Sequence, residues 1–400
     1  MIILSFLGTG NYESTKYKTF TGIYEGNYFI EILNRTYCPE KIYIAVTKES
    51  KLKHSDQLSK ILNFEELNIP SGKSEEEIWE MFELITDSIP EESELIIDVT
   101  HGFRSQPMIA LAAAIYLRTV KNIKILDILY GAFDAKDDEN VAPVFSLMLF
   151  LELIDWSKAT DSLIKDNNAA YLKNLLTSIQ SKTYTNNEDY KARGLFGIGK
   201  ILNNILNSVS VVRPEEFIKY SNELPIIIDN VQKDIDNIAK IKPIKTILEI
   251  LKNSFKNFYN QEENIYTNHG IILQSRLIEY CISSKQYQQA ITLSRELLVT
   301  FLCKERNEDP SIKDSRSKIE TELSEDSIRY QNKEKPEKIE IEVLKLWIEI
   351  SEIRNDVNHA GMGRNAKPGN SIIENIVKLS KEIVNLVNNK YAYKPIQPPI

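Results

Sequence analysis

The sequence has little cysteine and little histidine, and neither is clustered. Its 400 residues include 3 cysteines and 4 histidines. Because Cys38, Cys281 and Cys303 lie far apart in the chain, they match neither a disulfide framework nor a thiolate metal site. No group of histidine, aspartate and glutamate residues has the spacing of metal ligands either. We therefore expect no metal site and no cofactor, and a reducing cytoplasm as the location.

The chain also lacks a long apolar run and a surplus of basic residues. No run reaches the roughly 18 apolar residues that a membrane span requires, and Met1–Leu7 is too short for a signal peptide. The net charge of −8 argues against a general nucleic-acid coat and allows only local basic sites. With 42% hydrophobic residues the chain can bury more than one core, which predicts a soluble protein of several domains.

Short buried strands alternate with helical segments over residues 1–150. The predicted strands are Ile2–Leu7, Lys41–Val46, Leu95–Asp98 and Ile123–Tyr130, and the predicted helices are Glu75–Ile85 and Met108–Val120. This alternation predicts an α/β domain with a parallel sheet and helices on both faces. Ligands bind such sheets beyond the carboxyl ends of the strands. Four turns are expected at that edge: Gly8–Thr9–Gly10, Thr47–Ser50, Asp98–Arg104 and Gly131–Ala132.

The strand pattern stops near Ala142, and helical periodicity takes over with a first helix predicted over Phe145–Ile154. We predict an all-α helical connector over residues 151–268 and a second all-α domain over residues 269–400. The segment 304–340 is dense in charged residues and poor in large apolar ones, so it is predicted to be a mobile insertion with one helix.

The turn Asp98–Arg104 contains the residue types of an anion site. It follows a buried strand, contains a glycine and precedes a helix with Pro107 in its first turn. A turn of this kind presents backbone N–H groups, and the helix start adds partial positive charge. Thr100, His101 and Arg104 add a hydroxyl, an imidazole and a guanidinium. We therefore predict that a phosphate-rich ligand binds here.

An ordinary strand-to-helix turn is the alternative interpretation of the same residues. In that case Asp98 caps the backbone, His101 lies at the surface and Arg104 pairs with a carboxylate. The second glycine turn at the same edge, Gly8–Thr9–Gly10, favours a binding site, although it lacks the third glycine of a dinucleotide fingerprint. His54 has no evident partner and is predicted to be a surface residue.

Arg354 and His359 are the candidate catalytic residues, five positions apart near the predicted end of a helix. In RNA cleavage the 2′-hydroxyl attacks the neighbouring phosphorus. A base takes its proton, an acid protonates the leaving 5′-oxygen, and a cation stabilises the developing charge. Histidine can transfer these protons because its ordinary pKa is near neutral. One pair supplies a single acid–base group, so a full site needs two copies in a symmetric dimer.

The spacing of this pair is a modest signal when it is taken alone. With twelve arginines and 4 histidines, an arginine five positions before a histidine is expected roughly 0.12 times by chance. The alternative is an exposed arginine–aspartate pair and a solvated histidine beside a glycine-rich loop.

Together the two constellations resemble those of the CRISPR-associated CARF–HEPN ribonucleases of the DxTHG branch. Asp98–Gly102 matches the DxTHG motif at every defined position. Arg354–His359 matches the HEPN pattern of an arginine, a polar residue and a later histidine. The resemblance covers the N-terminal and C-terminal domains but not the helices between them. It implies a Rossmann-like CARF sensor domain, the all-α connector and an all-α HEPN domain.

The resemblance implies a cyclic-oligoadenylate-activated, metal-independent endoribonuclease of type III CRISPR antiviral defence. Its substrate would be single-stranded RNA, cleaved to 2′,3′-cyclic phosphate ends, and its activator cyclic tetra-adenylate in preference to hexa-adenylate. It would work as a homodimer, with higher assembly left open. The implied ligand-binding residues are Gly8, Thr9, Gly10, Thr100, His101, Gly102, Phe103 and Arg104. The implied catalytic residues are Arg354 and His359, supported by Asn355, with Glu296 as a weaker candidate partner of Arg354.

Further roles are open at this stage. Tyr12 and Phe103 are candidates for stacking on bases, although either residue fits a core position equally well. The sensor domain is also a candidate for degrading its own activator, with His101 or Thr9 contributing, which would make the enzyme self-limiting. In a third interpretation the protein is a non-catalytic sensor whose helical domain only binds.

Overall fold

The computed structural model describes residues 1–103, 105–186, 188–238, 241–259, 264–362 and 366–391. The chain divides into two compact units, Met1–Ile154 and Asp155–Ile400. The first unit contains a sheet flanked by helices, and the regular elements described in the second are all helical. The expected fold class, an α/β domain followed by an all-α region, is therefore confirmed.

The described strands of the first unit form one sheet of eight. They are β1 (Ile2–Leu7), β2 (Thr15–Thr19), β3 (Gly22–Gly26), β4 (Lys41–Val46), β5 (Glu65–Asn68), β6 (Glu94–Asp98), β7 (Lys124–Gly131) and β8 (Val141–Ser146). Their order is β3-β2-β8-β7-β6-β1-β4-β5. Strands β7, β6, β1, β4 and β5 are parallel, whereas β8 is antiparallel to β7 and pairs in parallel with β2. The sheet is thus mixed, and the expectation of a parallel sheet holds only for those five strands.

A hairpin that was not predicted extends the sheet at one edge. Strands β2 and β3 pair antiparallel, with Thr19 opposite Gly22. Tyr17 of β2 is buried, whereas Lys16 and Lys18 are exposed. This alternation is typical of a strand that has one face in contact with solvent. The hairpin was not predicted because the predicted strands rest on continuous apolar runs, which are typical of parallel strands with both faces covered by helices.

Four helices cover the two faces of the sheet. They are α1 (Phe29–Tyr37), α2 (Lys48–Leu58), α3 (Glu75–Ser88) and α4 (Gln106–Val120). Alternate residues of β1 enter different cores because successive side chains of a strand point to opposite faces. Leu4 shares a core with Met81 of α3 and Ala110 of α4. Ile3 shares the other core with Phe29 of α1 and Leu58 of α2.

The turns that were predicted to share one sheet edge do so. Strands β7, β6, β1 and β4 are consecutive, parallel neighbours in the sheet. Their carboxyl ends, which are Gly131, Asp98, Leu7 and Val46, therefore lie side by side. The residues that follow these four positions can reach one ligand.

Helices follow β8 in the described part of the chain, and the first of them begins later than predicted. They are α5 (Met148–Asp166), α6 (Ala170–Thr185), α7 (Leu195–Ser210), α8 (Pro214–Asn237), α9 (Ile244–Phe255), α10 (Asn268–Ser283), α11 (Tyr287–Glu305), α12 (Lys313–Gln331), α13 (Ile341–Asn358) and α14 (Gly369–Tyr391). The predicted helical start at Phe145 was wrong, because this residue is the partner of Tyr130 in the β7–β8 ladder. Phe145 is an exposed residue near the end of β8, and the sequence pattern there also fits the first turn of an amphipathic helix.

Helix α11 is the centre of the C-terminal helices and packs against α10, α12, α13 and α14. The guanidinium of Arg295 on α11 lies 4.8 Å from the ring centroid of Trp347 on α13. Near the other end of α13, the amide of Gln288 lies 3.5 Å from Asn358 Oδ1. Helices α11 and α13 are therefore antiparallel, and the start of α11 lies beside the end of α13.

The charged segment 304–340 contains one long helix, α12, whose charges are satisfied locally. Ile319 and Leu323 on α12 are fully buried, so the helix has an apolar face despite its composition. The carboxylate of Asp326 accepts hydrogen bonds from the main-chain N–H groups of Glu337, Lys338 and Ile339, at 2.7–3.1 Å. The segment was predicted to be a mobile insertion; in the structure the buried aspartate ties the end of α12 to the chain that leads into α13.

Candidate functional site

Asp98, the first residue of the DxTHG motif, builds the turn after β6. Its carboxylate accepts a hydrogen bond from the Ser5 hydroxyl at 2.7 Å and another from the main-chain N–H of Thr100 at 2.9 Å. Asp98 is fully buried, and this burial raises the pKa of its carboxyl group. The side chain therefore shapes the turn and does not face a ligand.

Thr100 also engages the sheet. Its hydroxyl oxygen accepts a hydrogen bond from the main-chain N–H of Gly131, the last residue of β7, at 2.9 Å. The turn after β6 is thus fixed to the end of the neighbouring strand. Thr100 was predicted to contribute its hydroxyl to ligand binding, and in the structure this hydroxyl holds the turn in place.

His101 is held as a neutral ring by the start of α1. Its Nε2 accepts a hydrogen bond from the main-chain N–H of Phe29, the first residue of that helix, at 3.1 Å. Because an amide can only donate, the proton of the neutral imidazole must be on Nδ1. Burial, with a smaller contribution from nearby His54, lowers the pKa of His101 to about 4. His101 is therefore a neutral hydrogen-bond donor at pH 7.

The glycines of the two motifs allow their turns to meet. A Cβ atom added to Gly8 would lie 2.7 Å from the carbonyl oxygen of His101, closer than any real contact permits. A Cβ atom on Gly102 would lie 3.1 Å from Gln106 Oε1, which accepts the main-chain N–H of Phe103 at 2.8 Å. The turns after β1 and β6 therefore form one continuous surface, and Phe103 is partly exposed on it.

Helix α2 contacts the carbonyl groups of the β1 turn through two side chains. Lys53 Nζ donates to the carbonyl oxygen of Thr9 at 2.7 Å. The Nε2 atom of His54 lies 2.9 Å from the carbonyl oxygen of Gly10, and Nδ1 lies 3.2 Å from the Tyr28 hydroxyl. Since a carbonyl can only accept, His54 carries its proton on Nε2 and accepts from the tyrosine at Nδ1.

The prediction that His54 lies at the surface was therefore wrong. His54 is only 5% exposed, whereas Leu52 on the same helix is 80% exposed. The buried face of α2 consists of Ser50, His54, Ser55 and Leu58, most of them polar. Spacing of four between Ser50, His54 and Leu58 was the available signal, but a search for apolar periodicity does not detect it.

Tyr12 lies over the junction of the two turns. Its ring centroid is 4.1 Å from that of His101 and 4.6 Å from that of His54. Its hydroxyl accepts from the main-chain N–H of Gly8 at 2.9 Å and donates to the Gly8 carbonyl oxygen at 3.1 Å. Burial raises the pKa of Tyr12 to about 12. Of the predicted binding residues, Arg104 lies outside the described part of the chain.

The second candidate site is at the end of α13, where Arg354 has no anionic partner among the described residues. Its Nη1 donates to the side-chain oxygen of Asn355 at 3.3 Å, and its buried Nε has no hydrogen-bond partner there. Other arginines of the same unit pair with glutamates: Arg295, Arg306, Arg316 and Arg329. The expected contact between Asn355 and Arg354 is present, and the guanidinium remains free to bind an anion.

His359 is the residue at which α13 ends, and its side chain is exposed. Ala360 has φ of +56° and donates to the carbonyl oxygen of Val357 at 3.1 Å. Gly361 donates to the carbonyl oxygen of Asp356 at 2.9 Å. These two bonds form a Schellman motif, which turns the chain away sharply after His359. The five-residue separation puts Arg354 and His359 about 7.5 Å apart along the helix axis.

The expectation that Glu296 pairs with Arg354 was wrong. The carboxylate of Glu296 lies 2.7 Å from Arg295 Nη1 and 2.6 Å from Arg316 Nη2. Arg316 belongs to α12, the helix of the charged segment. The sequence could not reveal this competing cation, because α12 lies in the segment that was predicted to be mobile.

Two negative findings apply to the described residues. None of the helices described in the chain combines the length and the apolar character that a membrane crossing needs. Within the same described residues, no three histidine, cysteine, aspartate or glutamate side chains are grouped so that they could hold a metal ion.

The geometry of the first unit defines a class of protein, an α/β domain in which two glycine-containing turns and a neutral histidine meet at one edge of the sheet. Comparisons with known proteins narrow this class. Residues 64–134 match the family model described as the CARF domain of the CRISPR system endoribonuclease Csx1. The match includes the β6 turn with Thr100, His101 and Gly102.

The chain is also similar to CRISPR-associated protein MJ1674 of Methanocaldococcus jannaschii. The two are 27% identical over 172 residues, which cover 40% of this chain and 27% of that protein. The chain thus matches about a quarter of the length of this relative. Together the two comparisons support a CRISPR-associated protein with a CARF domain.

Proposed function

We propose that this protein is a cyclic-oligoadenylate-activated endoribonuclease that cleaves single-stranded RNA in type III CRISPR defence. The sheet edge of the first unit binds the activator, and the end of α13 cleaves the RNA. The proposal is supported by the CARF match and by the word endoribonuclease in the name of that family. The observation that carries the catalytic part is the guanidinium of Arg354, which lacks a counter-ion among the described residues and lies on the same helix end as the exposed His359.

The sheet edge suits a ligand made of phosphates and adenines. The amides of the β1 turn can donate to phosphate oxygens, and Nδ1–H of His101 adds a neutral donor that needs no ionisation. The exposed ring of Phe103 offers a surface on which an adenine can stack. A cyclic oligoadenylate has rotational symmetry, so a homodimer that places two such edges together would match it. As the activator we propose cyclic tetra-adenylate rather than hexa-adenylate.

The end of α13 supplies the groups that metal-independent RNA cleavage requires. His359 of one protomer takes the proton of the 2′-hydroxyl, whose oxygen attacks phosphorus while the bond from phosphorus to the 5′-oxygen breaks. The same residue of the second protomer protonates the leaving 5′-oxygen. Arg354 stabilises the negative charge that develops on the phosphate oxygens, and Asn355 orients its guanidinium. The products are a 2′,3′-cyclic phosphate and a 5′-hydroxyl.

Cleavage of a labelled single-stranded RNA by purified full-length protein tests this proposal. We expect Arg354→Ala and His359→Ala each to reduce the activated rate by about 10²–10⁴-fold, the range for loss of a transition-state cation or an acid–base group. Arg276→Ala is the matched control, since Arg276 is in the same unit and donates to the main-chain carbonyl oxygen of Asn257 at 3.2 Å. Full activity in either catalytic variant would contradict the assignment. Absence of turnover in the wild type at any activator concentration would favour a non-catalytic sensor.

A further inference from the structure

Tyr12 makes the two contacts that a ligand oxygen would make with the β1 turn. The phenol oxygen is the acceptor for the Gly8 main-chain N–H at 2.9 Å, and its own proton goes to the Gly8 carbonyl at 3.1 Å. The aromatic ring fills the space between His101 and His54, with centroid distances of 4.1 Å and 4.6 Å. The side chain is therefore held at its ring and at its hydroxyl.

While the Gly8 main-chain N–H donates to the Tyr12 hydroxyl, it cannot donate to a ligand. It is the first donor after the carboxyl end of β1, where anions approach a sheet of this kind. Its neighbourhood is tight, because the position that a Cβ of Gly8 would take is 2.7 Å from the carbonyl oxygen of His101. An anion that binds to this amide must therefore displace the phenol rather than shift the turn.

We propose that Tyr12 is a built-in competitor of the activator for the Gly8 amide, and that it sets the affinity and threshold of the sensor. This inference rests on the proposed function, in which a phosphodiester oxygen binds at the β1 turn. The seated and displaced states of Tyr12 are two populations, and the activator binds only the displaced one. The observed dissociation constant is then the intrinsic one divided by the fraction displaced.

The variant Tyr12→Phe separates the hydroxyl from the ring. Phenylalanine keeps the stack between His101 and His54 but leaves the Gly8 amide without an acceptor when it is seated. Since one intramolecular hydrogen bond has a net worth equivalent to about a fivefold to tenfold change in equilibrium, we expect binding of cyclic tetra-adenylate about fivefold to tenfold tighter than in the wild type. Tyr171→Phe, which removes the hydroxyl of a 63% exposed tyrosine on α6, is the matched control.

Two measurements on the full-length protein test the inference. The first is the dissociation constant of cyclic tetra-adenylate, and the second is hydrogen exchange of the peptide containing Gly8 without activator. Tighter binding and faster exchange in Tyr12→Phe, with no change in Tyr171→Phe, support the inference. Unchanged or weaker binding in Tyr12→Phe overturns it and leaves the proposed function intact. If the wild type binds neither cyclic tetra- nor hexa-adenylate, the proposed activator is wrong. Exchange alone then decides whether Tyr12 protects the amide: faster exchange supports the contact, and unchanged exchange overturns it.

Discussion

The main-chain N–H of Phe29 donates a hydrogen bond to Nε2 of His101 at 3.1 Å. Phe29 is the first residue of α1, so the ring also faces the positive end of a helix dipole. Both features oppose protonation of the imidazole, and burial lowers its pKa to about 4. His101 is therefore neutral at pH 7, with Nδ1–H as its hydrogen-bond donor.

This relationship predicts a pH dependence of stability. The folded pKa of His101, about 4, is below its ordinary value of 6.5, so the unfolded chain binds more protons between these values. The stabilisation is complete above pH 6.5 and is lost as the pH falls toward 4, by on the order of 1–3 kcal/mol. In His101→Gln, an amide oxygen can still accept from Phe29 but does not titrate. The difference in urea unfolding free energy between wild type and variant should grow as the pH rises from 4 to 7, and parallel curves would contradict the assignment.

The two glycines of the β1 turn should differ in their tolerance of alanine. Gly8→Ala places a Cβ 2.7 Å from the His101 carbonyl oxygen, so the two turns must separate. We expect a loss of about 1–3 kcal/mol in unfolding free energy and a loss of activator binding. Gly10→Ala is the control, because its Cβ would make only an ordinary contact of 3.6 Å with Tyr12. Equal effects of the two substitutions in thermal unfolding would show that the close approach does not matter.

Asp326→Asn should destabilise the second unit, and more so at neutral than at acidic pH. Burial alone would raise the pKa of Asp326, but three main-chain N–H groups and Arg329 reverse this and lower it. The carboxylate therefore stabilises the fold above its ordinary pKa of 3.8, and this contribution is lost as the pH falls below that value. In Asp326→Asn the side-chain NH₂ group, itself a donor, would face these main-chain donors. We expect a loss of about 1–3 kcal/mol in unfolding free energy. Urea unfolding at pH 7 measures this loss of stability, with substitution of the exposed Glu334 by glutamine as the control. Equal stability of the two variants would contradict the role of Asp326 in tying α12 to the chain that leads into α13.

Two serines of the second unit, each with a buried hydroxyl group, should respond differently to alanine. The Ser351 hydroxyl on α13, one turn before Arg354, has no hydrogen-bond partner among the described residues. Its removal should change the unfolding free energy by less than about 0.5 kcal/mol, since no bond is broken. The Ser294 hydroxyl donates to the Ala290 carbonyl at 2.8 Å and lies 3.0 Å from Ser380 Oγ, so Ser294→Ala should cost about 1–2 kcal/mol. A large loss of stability in Ser351→Ala would mean that its hydroxyl has a structural partner.

The lifetime of the activator tests the possibility that the sensor domain degrades it. His101 uses Nε2 to accept from Phe29 and carries its proton on Nδ1, so it offers no free basic nitrogen to the ligand. We therefore expect cyclic tetra-adenylate to persist when it is incubated with Arg354→Ala protein. Its disappearance, followed by chromatography, would show that the first unit is a second catalytic site.

The parts of the fold that sequence patterns predicted are those that bury apolar residues in a regular way. Strands β1, β4, β6 and β7 are mostly apolar, and the turns that follow them lie at one edge as expected. The hairpin of β2 and β3 was not predicted, because Tyr17 is its one large side chain with an exposed fraction below 2%. The binding role of residues 8–10 and 100–104, and the catalytic role of Arg354 and His359, stay predictions.

What sequence patterns could not predict are the polar contacts that join distant segments. His54 contacts Gly10 and Tyr28, residues 44 and 26 positions away, through hydrogen bonds that have no periodic signature. Glu296 of α11 was a candidate partner of Arg354, but in the folded chain its carboxylate pairs with Arg295 and with Arg316 of α12. In both cases the partner of a charged or polar group depends on tertiary packing.

The most direct test of the account is the RNA cleavage rate of the full-length protein as a function of added cyclic tetra-adenylate, with cyclic hexa-adenylate titrated in parallel. We expect a low basal rate that rises and saturates with cyclic tetra-adenylate, responds weakly to hexa-adenylate and disappears in His359→Ala. Cleavage that does not depend on either activator, or no cleavage in the wild type, would contradict the claim that the sheet edge of the first unit controls a nuclease at the end of α13.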